Sequence, residues 1–319
     1  MGQNAKGALL ALLSFALYAT HDVIVKELGV NYTPFQIVFF SVLFSFPLAT
    51  VMLIRDPQPG TLRAAHPWWT LTRTAAVVVT GLSAFYAFTV LPLAQTYAIL
   101  FASPLLITIL SIPILGEKVR LRRWMAVIVG LGGVLIVLRP GTTELSLGHL
   151  AAMVASVGSA LASIIVRKVG SAERAEVLVL YPMLANFVVM GAAMPFVYVP
   201  MPVEHLALLL GMALLGFTAS IVIILAYRAG EAVIVAPMQY SQILWAIFFG
   251  TLLFNETPDL VTLLGAGVII ASGIYIVLRE GQQNASENTP VLRSRSRFET
   301  GTQLRIGVLR RLLGWQRRP

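Results

Sequence analysis

Ten long apolar segments follow one another along this chain, and they decide what it can fold into. Each has about the twenty residues that an α-helix needs to cross roughly 30 Å of hydrocarbon. Hydrophobic residues make up 57% of the chain and charged residues 12%, so lipid must replace water as the solvent for most of its surface. The segments are 7–28, 34–54, 71–91, 93–115, 122–138, 146–167, 177–199, 205–228, 232–254 and 260–279.

The segments are continuous apolar runs, whereas the strands of a membrane barrel alternate apolar and polar residues over about ten positions. Helices are therefore favoured, and we predict an all-α membrane protein with ten transmembrane helices. Mean hydropathy over the whole chain is +0.82, in line with this class.

The chain also contains an internal repeat. Residues 133–139 and 273–279 share the pattern Gly-x-x-Ile-Val-Leu-Arg, and the motif Gly116-Glu117 has a weaker counterpart in Asn255-Glu256. Val-Ile-Val-Lys26 is echoed by Ile-Ile-Val-Arg167. Since each copy holds five predicted helices, an odd number, the second copy must cross the membrane in the opposite direction. We therefore predict two inverted repeats, residues 1–140 and 141–279.

Charge indicates the orientation. With the amino terminus in the cytoplasm, all of the 23 lysines and arginines except Lys26 and Arg139 lie on the inner side, as the positive-inside rule requires. We expect a multi-pass membrane protein with both termini cytoplasmic, and the family resemblance described below implies a bacterial inner membrane. Residues 280–319 form a basic tail with an amphipathic segment, which predicts contact with anionic lipids of the inner leaflet. The net charge of +9 is thus explained without nucleic acid.

Helix one carries the densest group of ionisable residues within a predicted span. Tyr18, His21, Asp22 and Lys26 share one face at helical spacing. Ionisable groups inside a membrane are costly and so indicate function. One interpretation is a cavity wall in which Tyr18 and His21 contact substrate while His21 or Asp22 exchanges protons. The alternative is structural, with Asp22 paired to Lys26 and His21 bonded to a backbone carbonyl.

Polar and aromatic residues in other helices extend the candidate site. Arg73 opens helix three and is either a gate or a headgroup anchor. The run from Pro237 to Trp245 suits a planar, uncharged or zwitterionic solute, because its rings can stack while its amides donate and accept hydrogen bonds. Interhelical packing is the alternative for this run. Predicted substrate contacts beyond helix one are Tyr86, Gln95, Tyr97, Asn186, Gln239, Tyr240, Gln242 and Trp245.

Motifs of other classes are missing from the sequence. It holds no Walker A loop, no His-Glu-x-x-His zinc motif and no cysteine, and we expect neither a cofactor nor a metal site. An intramembrane enzyme would need an arrangement of His21, Asp22 and serines that no motif supports. A channel would need a continuous polar stripe, which the helices do not show. A transporter of small solutes is the favoured class.

These motifs, in this order over residues 7–279, resemble the EamA family of the drug/metabolite transporter superfamily. The resemblance rests on Gly116-Glu117, Asn255-Glu256, the two Gly-x-x-Ile-Val-Leu-Arg endings and Arg73 at the start of helix three. It implies a secondary transporter with a central cavity between its halves. Ser41 stands where the family often has an arginine, which weakens any anion-binding role.

The start of helix one through helix two, including Ala-Thr-His-Asp22, most resembles a subgroup that includes riboflavin importers of Gram-negative bacteria. The resemblance implies riboflavin uptake as the leading specific activity. Export of amino acids, other metabolites or drugs is the alternative, since inverted repeats allow either direction. The sequence does not distinguish a monomer from an oligomer.

Overall fold

A computed structural model describes residues 3–54, 62–117, 119, 121–140, 145–169 and 172–281. Over these residues the protein is helical and forms no β-sheet, so the all-α prediction is confirmed. The predicted tail from residue 282 onward lies outside the described residues. The helices are α1 (Gln3–Leu28), α2 (Pro34–Ile54), α3 (Pro67–Val90), α4 (Leu93–Leu100), α5 (Ser103–Leu115), α6 (Leu121–Leu138), α7 (Leu147–Val169), α8 (Ala175–Val197), α9 (Val203–Ala229), α10 (Ala232–Val235), α11 (Gln242–Phe254) and α12 (Leu260–Gly281).

Eight stretches of the described chain are long and apolar enough to cross a membrane, with α4 and α5 counted together as one. Two of the ten predicted spans fall short of this criterion. The apolar part of α2, Pro34–Thr50, is a shorter helix. The ninth segment is divided among α10, a 3-10 helix over Ala236–Ser241, and α11. The structure thus supports a multi-pass membrane protein, and the count of ten spans stays a prediction.

Both the fourth and the ninth predicted segments are broken in the middle. We expected each to be one helix with prolines inside it, whereas the structure ends one helix and begins another. Pro104 lies in the first turn of α5 and Pro237 in the first turn of the 3-10 helix. At these positions the missing amide proton of proline sacrifices no helical hydrogen bond. The prolines therefore begin helices rather than kinking them.

The helices α5 and α11 end in the same way. The residue after each adopts a left-handed conformation, with φ of 71° at Gly116 and 53° at Asn255. In both cases the amide of the next residue, Glu117 or Glu256, donates back to a carbonyl in the helix. This left-handed cap turns the chain sharply. It places the two glutamates at equivalent positions just beyond their helices.

Several helix limits in the two copies are separated by the same interval. The helix α4 begins at Leu93 and α10 at Ala232, while α5 covers Ser103–Leu115 and α11 covers Gln242–Phe254. These starts and ends all differ by 139 positions, the interval that also separates Glu117 from Glu256. The repeat noticed in the sequence is thus also a repeat of secondary structure.

Helices from the two copies pack on each other in exchanged pairs. The helix α1 packs along α9, and its counterpart α7 packs along α3. The first pair is antiparallel, because Gly7 lies against Gly230 while His21 lies near Gly216. Swapping the two copies leaves this set of contacts unchanged, as inverted repeats require. The boundaries at 1–140 and 141–279 and the membrane orientation stay predictions.

The equivalent helices α6 and α12 cross closely at two glycines. A Cβ atom added to Gly133 would lie 2.9 Å from the carbonyl oxygen of Gly265, and one added to Gly265 would lie 2.8 Å from the carbonyl oxygen of Gly133. Such distances leave room for hydrogen only. The two helices therefore pack in direct backbone contact at this crossing.

Candidate functional site

Four buried polar side chains from both copies meet in the interior of the protein. We call His21, Asp22, Tyr97 and Gln242 the polar cluster. His21 Nδ1 lies 2.8 Å from Asp22 Oδ1, and the Tyr97 hydroxyl donates to Asp22 Oδ2. Gln242 Nε2 donates to the Tyr97 hydroxyl over 3.4 Å. Each of the four is at most 4% exposed.

The broken helices explain how these side chains converge. Tyr97 lies in the short helix α4, and Gln242 is the first residue of α11, directly after the 3-10 helix. His21 and Asp22 belong to α1, which packs against α9 and also against α10, the 3-10 helix and α11. The cluster thus lies where the broken segments of the two copies meet, since α4 packs against α11.

Hydrogen bonds connect the ionisable groups of the cluster. An ionised Asp22 carboxylate only accepts hydrogen bonds, so in that state His21 Nδ1 is the donor. A buried carboxylate is costly unless it is hydrogen-bonded, and here both oxygens of Asp22 accept bonds. The group can therefore hold or release a proton between defined partners.

Aromatic rings form a row beside the polar cluster. The centroids of Phe88 and Tyr97 lie 5.3 Å apart, those of Tyr97 and Phe101 5.9 Å, and those of Phe101 and Tyr240 5.1 Å. His21 meets Phe85 edge to face at 6.1 Å. Phe101 and Tyr240 are equivalent positions of the two copies, so this contact joins the halves. All four rings of the row are at most 5% exposed and belong to the packed core of the protein.

Tyr18 lies one helical turn from the cluster and faces α9. Its hydroxyl is 2.8 Å from that of Ser220, and Ser14 donates to the carbonyl of Ala219, also at 2.8 Å. Tyr18 therefore helps to bind α1 to α9, and its ring is 7% exposed.

Five predicted contact residues lie apart from the polar cluster. Gln95 bonds His149 at 2.9 Å, and Trp245 stacks on Phe249 at 6.2 Å. Asn186 is buried, and its Oδ1 has no hydrogen-bond partner within the described chain. Tyr86 and Gln239 are partly exposed.

The partners of Lys26 differ from those in the structural alternative considered above. It pairs with Glu256 at 2.6 Å rather than with Asp22, and it also donates to the carbonyl of Leu91 at 2.6 Å. His21 Nδ1 lies within hydrogen-bond distance of the Asp22 carboxylate. The predicted alternative of an Asp22–Lys26 pair is therefore wrong in its partner for Lys26.

Arg73 is only 5% exposed, and its Nη1 donates to the carbonyl of Leu178 in α8. It therefore does not extend to the surface as a headgroup anchor. A second ion pair, between Arg167 and Glu117, was not predicted. The signal for it was present, since Arg167 and Glu117 are the sequence counterparts of Lys26 and Glu256.

Comparison with known proteins identifies the family. A family model described as the EamA-like transporter family matches residues 5–139 and again residues 146–279. The chain belongs to the EamA-like transporter family. The family predicted from the motifs is confirmed, and so is the prediction that the protein is a transporter and not an enzyme, because the family and the named relatives are transporters.

Relatives of this EamA-like chain carry three different substrate names. An S-adenosylmethionine uptake transporter of Rickettsia prowazekii is 26% identical, over 87% of this chain and 94% of its own length. A pseudopaline exporter of Pseudomonas aeruginosa is also 26% identical, over 85% and 95%. A riboflavin transporter of Vibrio cholerae is 30% identical, over 61% and 66%.

A solved crystal structure shares the fold of this EamA-like transporter at 16% identity. Its TM-score is 0.55, and the match covers 85% of this chain and 98% of the other. At this identity the likeness concerns the fold alone.

Proposed function

We propose that this EamA-like transporter imports a small metabolite with a planar nitrogen heterocycle across the bacterial inner membrane by alternating access. The observation that carries the proposal is the polar cluster beside a row of aromatic rings, at the junction of the two copies. The rings supply stacking, and the cluster supplies a carboxylate, an imidazole and an amide that fix the orientation of a solute.

Two solutes fit this chemistry, and both are named among the relatives. Riboflavin carries an uncharged planar ring system whose edge donates and accepts hydrogen bonds, and it is the first candidate. S-adenosylmethionine carries a planar adenine together with a sulfonium cation. The buried carboxylate of Asp22 favours this second candidate, since a cation close to a carboxylate is stabilised in a low-dielectric site. The two candidates differ in charge, and this difference makes them separable.

Direction and coupling complete the proposal. We propose inverted repeats of five helices each, with both termini cytoplasmic, because this orientation puts all but two of the lysines and arginines on the inner side. Proton movement through His21 and Asp22 drives uptake. Lys26 and Arg73 act in gating, and Tyr86, Gln95, Asn186, Gln239 and Trp245 line the path away from the cluster.

Uptake into proteoliposomes tests the substrate class. Purified protein is reconstituted, and the entry of labelled riboflavin and labelled S-adenosylmethionine is measured beside liposomes without protein. We expect uptake of at least one solute well above the protein-free rate. If riboflavin is the substrate, Asp22→Asn slows its uptake but does not change which neutral analogues compete. If the sulfonium is the substrate, Asp22→Asn also removes the preference for cationic over neutral analogues. Equal, protein-independent entry of both solutes would remove the proposed class.

A further inference from the structure

The turn that joins α3 to α4 is held by an ion pair that spans the two copies. Lys26 Nζ lies 2.6 Å from Glu256 Oε1 and donates to the carbonyl of Leu91. Glu256 Oε2 accepts from the amide of Leu93 at 2.9 Å. Each charged side chain thus binds its partner and also one backbone group of the turn. We call this arrangement the first latch.

The opposite end of the bundle has the counterpart pair. Arg167 follows Lys26 by 141 positions, Glu117 precedes Glu256 by 139, and the two bind each other as an ion pair. Both pairs therefore join one copy to the other, with the roles of the copies exchanged. We call the Arg167–Glu117 pair the second latch.

The two latches differ in what they hold. The turn equivalent to the one between α3 and α4 joins α9 to α10, where Gly230 and Ala232 stand 139 positions after Leu91 and Leu93. No hydrogen bond joins the second latch to that turn in the described residues. Arg167 Nη1 and Glu117 Oε2 are buried there and have no hydrogen-bond partner among the described residues. Buried charged groups whose atoms lack hydrogen-bond partners lower the free energy of unfolding.

The α9–α10 turn has other contacts instead. The amide of Glu231 donates to the side chain of Asn4 at 3.0 Å, and Gly230 lies against Gly7 of α1. The helix α1 packs against α3, whereas no comparable packing joins their counterparts α7 and α9 in the part of the chain that is described. The α9–α10 turn is thus held by α1 and not by the second latch.

We propose that the second latch is the docking site of the α9–α10 turn in a second conformation. There Arg167 donates to the carbonyl of Gly230 and Glu117 accepts from the amide of Ala232. At the same time the first latch releases the turn between α3 and α4. Arginine suits the position because its guanidinium has enough donors to hold a carboxylate and a carbonyl together. This inference rests on the proposed alternating-access transport, for which it names the residues that hold each end state.

Distance measurements between spin labels test the inference on the full chain in lipid nanodiscs. The sequence has no cysteine, so labels go only where cysteine is introduced. Val30 and Val90 are exposed and report on the end with the first latch, and Ala172 and Ala229 report on the other end. Glu256→Gln removes the charge of the first latch and keeps its shape. We expect a population with a longer 30–90 distance and a shorter 172–229 distance to increase about tenfold.

Ala232→Pro tests the second latch separately. Ala232 is the first residue of α10, where proline fits without loss of a helical bond, and it removes only the amide that Glu117 is proposed to bind. We expect the population induced by Glu256→Gln to fall about tenfold when Ala232→Pro is added, with unchanged distances in the original state. Val203→Pro, at the first residue of α9, is the matched control and leaves the populations unchanged.

Two results would overturn the inference. One is that Glu256→Gln leaves both distances unchanged or lengthens both together. The other is that Ala232→Pro has no more effect than Val203→Pro. The measurement needs no solute, so the two proposals fail separately. If the distances change as expected but neither solute is taken up, only the proposed substrate class is overturned. If uptake is normal but the distances do not change, only the proposed latches are overturned.

Discussion

The hydroxyl of Tyr97 donates a hydrogen bond to the carboxylate of Asp22 and so joins the short helix α4 to the C-terminal third of α1. Tyr97 is 1% exposed and packs between Phe88 and Phe101. A movement of α4 at its break therefore changes the hydrogen bonding of the buried carboxylate directly. This one contact links the aromatic row, the helix break and the ionisable group of the proposed site.

Tyr97→Phe keeps the ring and removes this hydroxyl. We expect uptake to fall about tenfold with little change in folding, because the carboxylate loses one buried charge-assisted hydrogen bond. Initial uptake rates in proteoliposomes check the prediction. Tyr198→Phe removes a hydroxyl from a surface ring that is 52% exposed and serves as the control with an unchanged rate. An unchanged rate in Tyr97→Phe would contradict a role for the hydroxyl.

Asp22→Asn removes the charge of the polar cluster with little change in shape. We expect uptake to fall at least about tenfold. The neutral amide of asparagine cannot accept charge-assisted hydrogen bonds from both His21 and Tyr97, as the carboxylate does. Glu27→Gln is the matched control, because this exposed carboxylate lies on the same helix and outside the cluster. Equal effects of the two substitutions would show that Asp22 acts only through the general charge of α1.

His21→Ala tests proton coupling. Imidazole changes charge readily near neutral pH, and His21 shares a proton with Asp22 in the cluster. We expect wild-type uptake to rise when the outside of the proteoliposomes is more acidic, and His21→Ala to lose this dependence while it keeps a basal rate. Uptake by His21→Ala that still follows the gradient would exclude coupling through this residue.

Gly133→Ala tests the crossing of α6 and α12. The added methyl group would lie 2.9 Å from the carbonyl oxygen of Gly265, so we expect a loss of about 1–3 kcal/mol in unfolding free energy. The neighbouring Gly132 has no atom within 4 Å of its Cβ position. Gly132→Ala is therefore expected to be neutral or to stabilise by up to about 1 kcal/mol, because alanine favours a helix. Unfolding in detergent measures both, and equal effects would argue against close packing at this crossing.

The sequence predicted the helical class, the family and the interval of the repeat, because apolar length and repeated motifs are local properties. It placed Pro104 and Pro237 inside continuous helices. It did not predict that the helices end there, since a proline fits both inside a kinked helix and at the start of a new one.

The sequence did not predict the contacts between the copies. Glu117 and Glu256 were visible as markers of the repeat, yet their partners Arg167 and Lys26 belong to the other copy. Only the docking of the two copies brings these charges together. Lys26 four positions after Asp22 favoured a local pair by spacing alone. The turn between α3 and α4, which contains Leu91, and the cap of α11, which contains Glu256, supply Lys26 with nearer partners.

Counterflow in proteoliposomes tests most directly whether the polar cluster is the binding site of a carrier. Vesicles are loaded with unlabelled riboflavin or S-adenosylmethionine, and trace labelled solute is added outside. A carrier that alternates between two sides accumulates label transiently above its equilibrium level, and we predict this overshoot for the wild type and for Glu27→Gln but not for Asp22→Asn. A steady approach to equilibrium by the wild type, as a channel would give, or a full overshoot by Asp22→Asn would contradict the account.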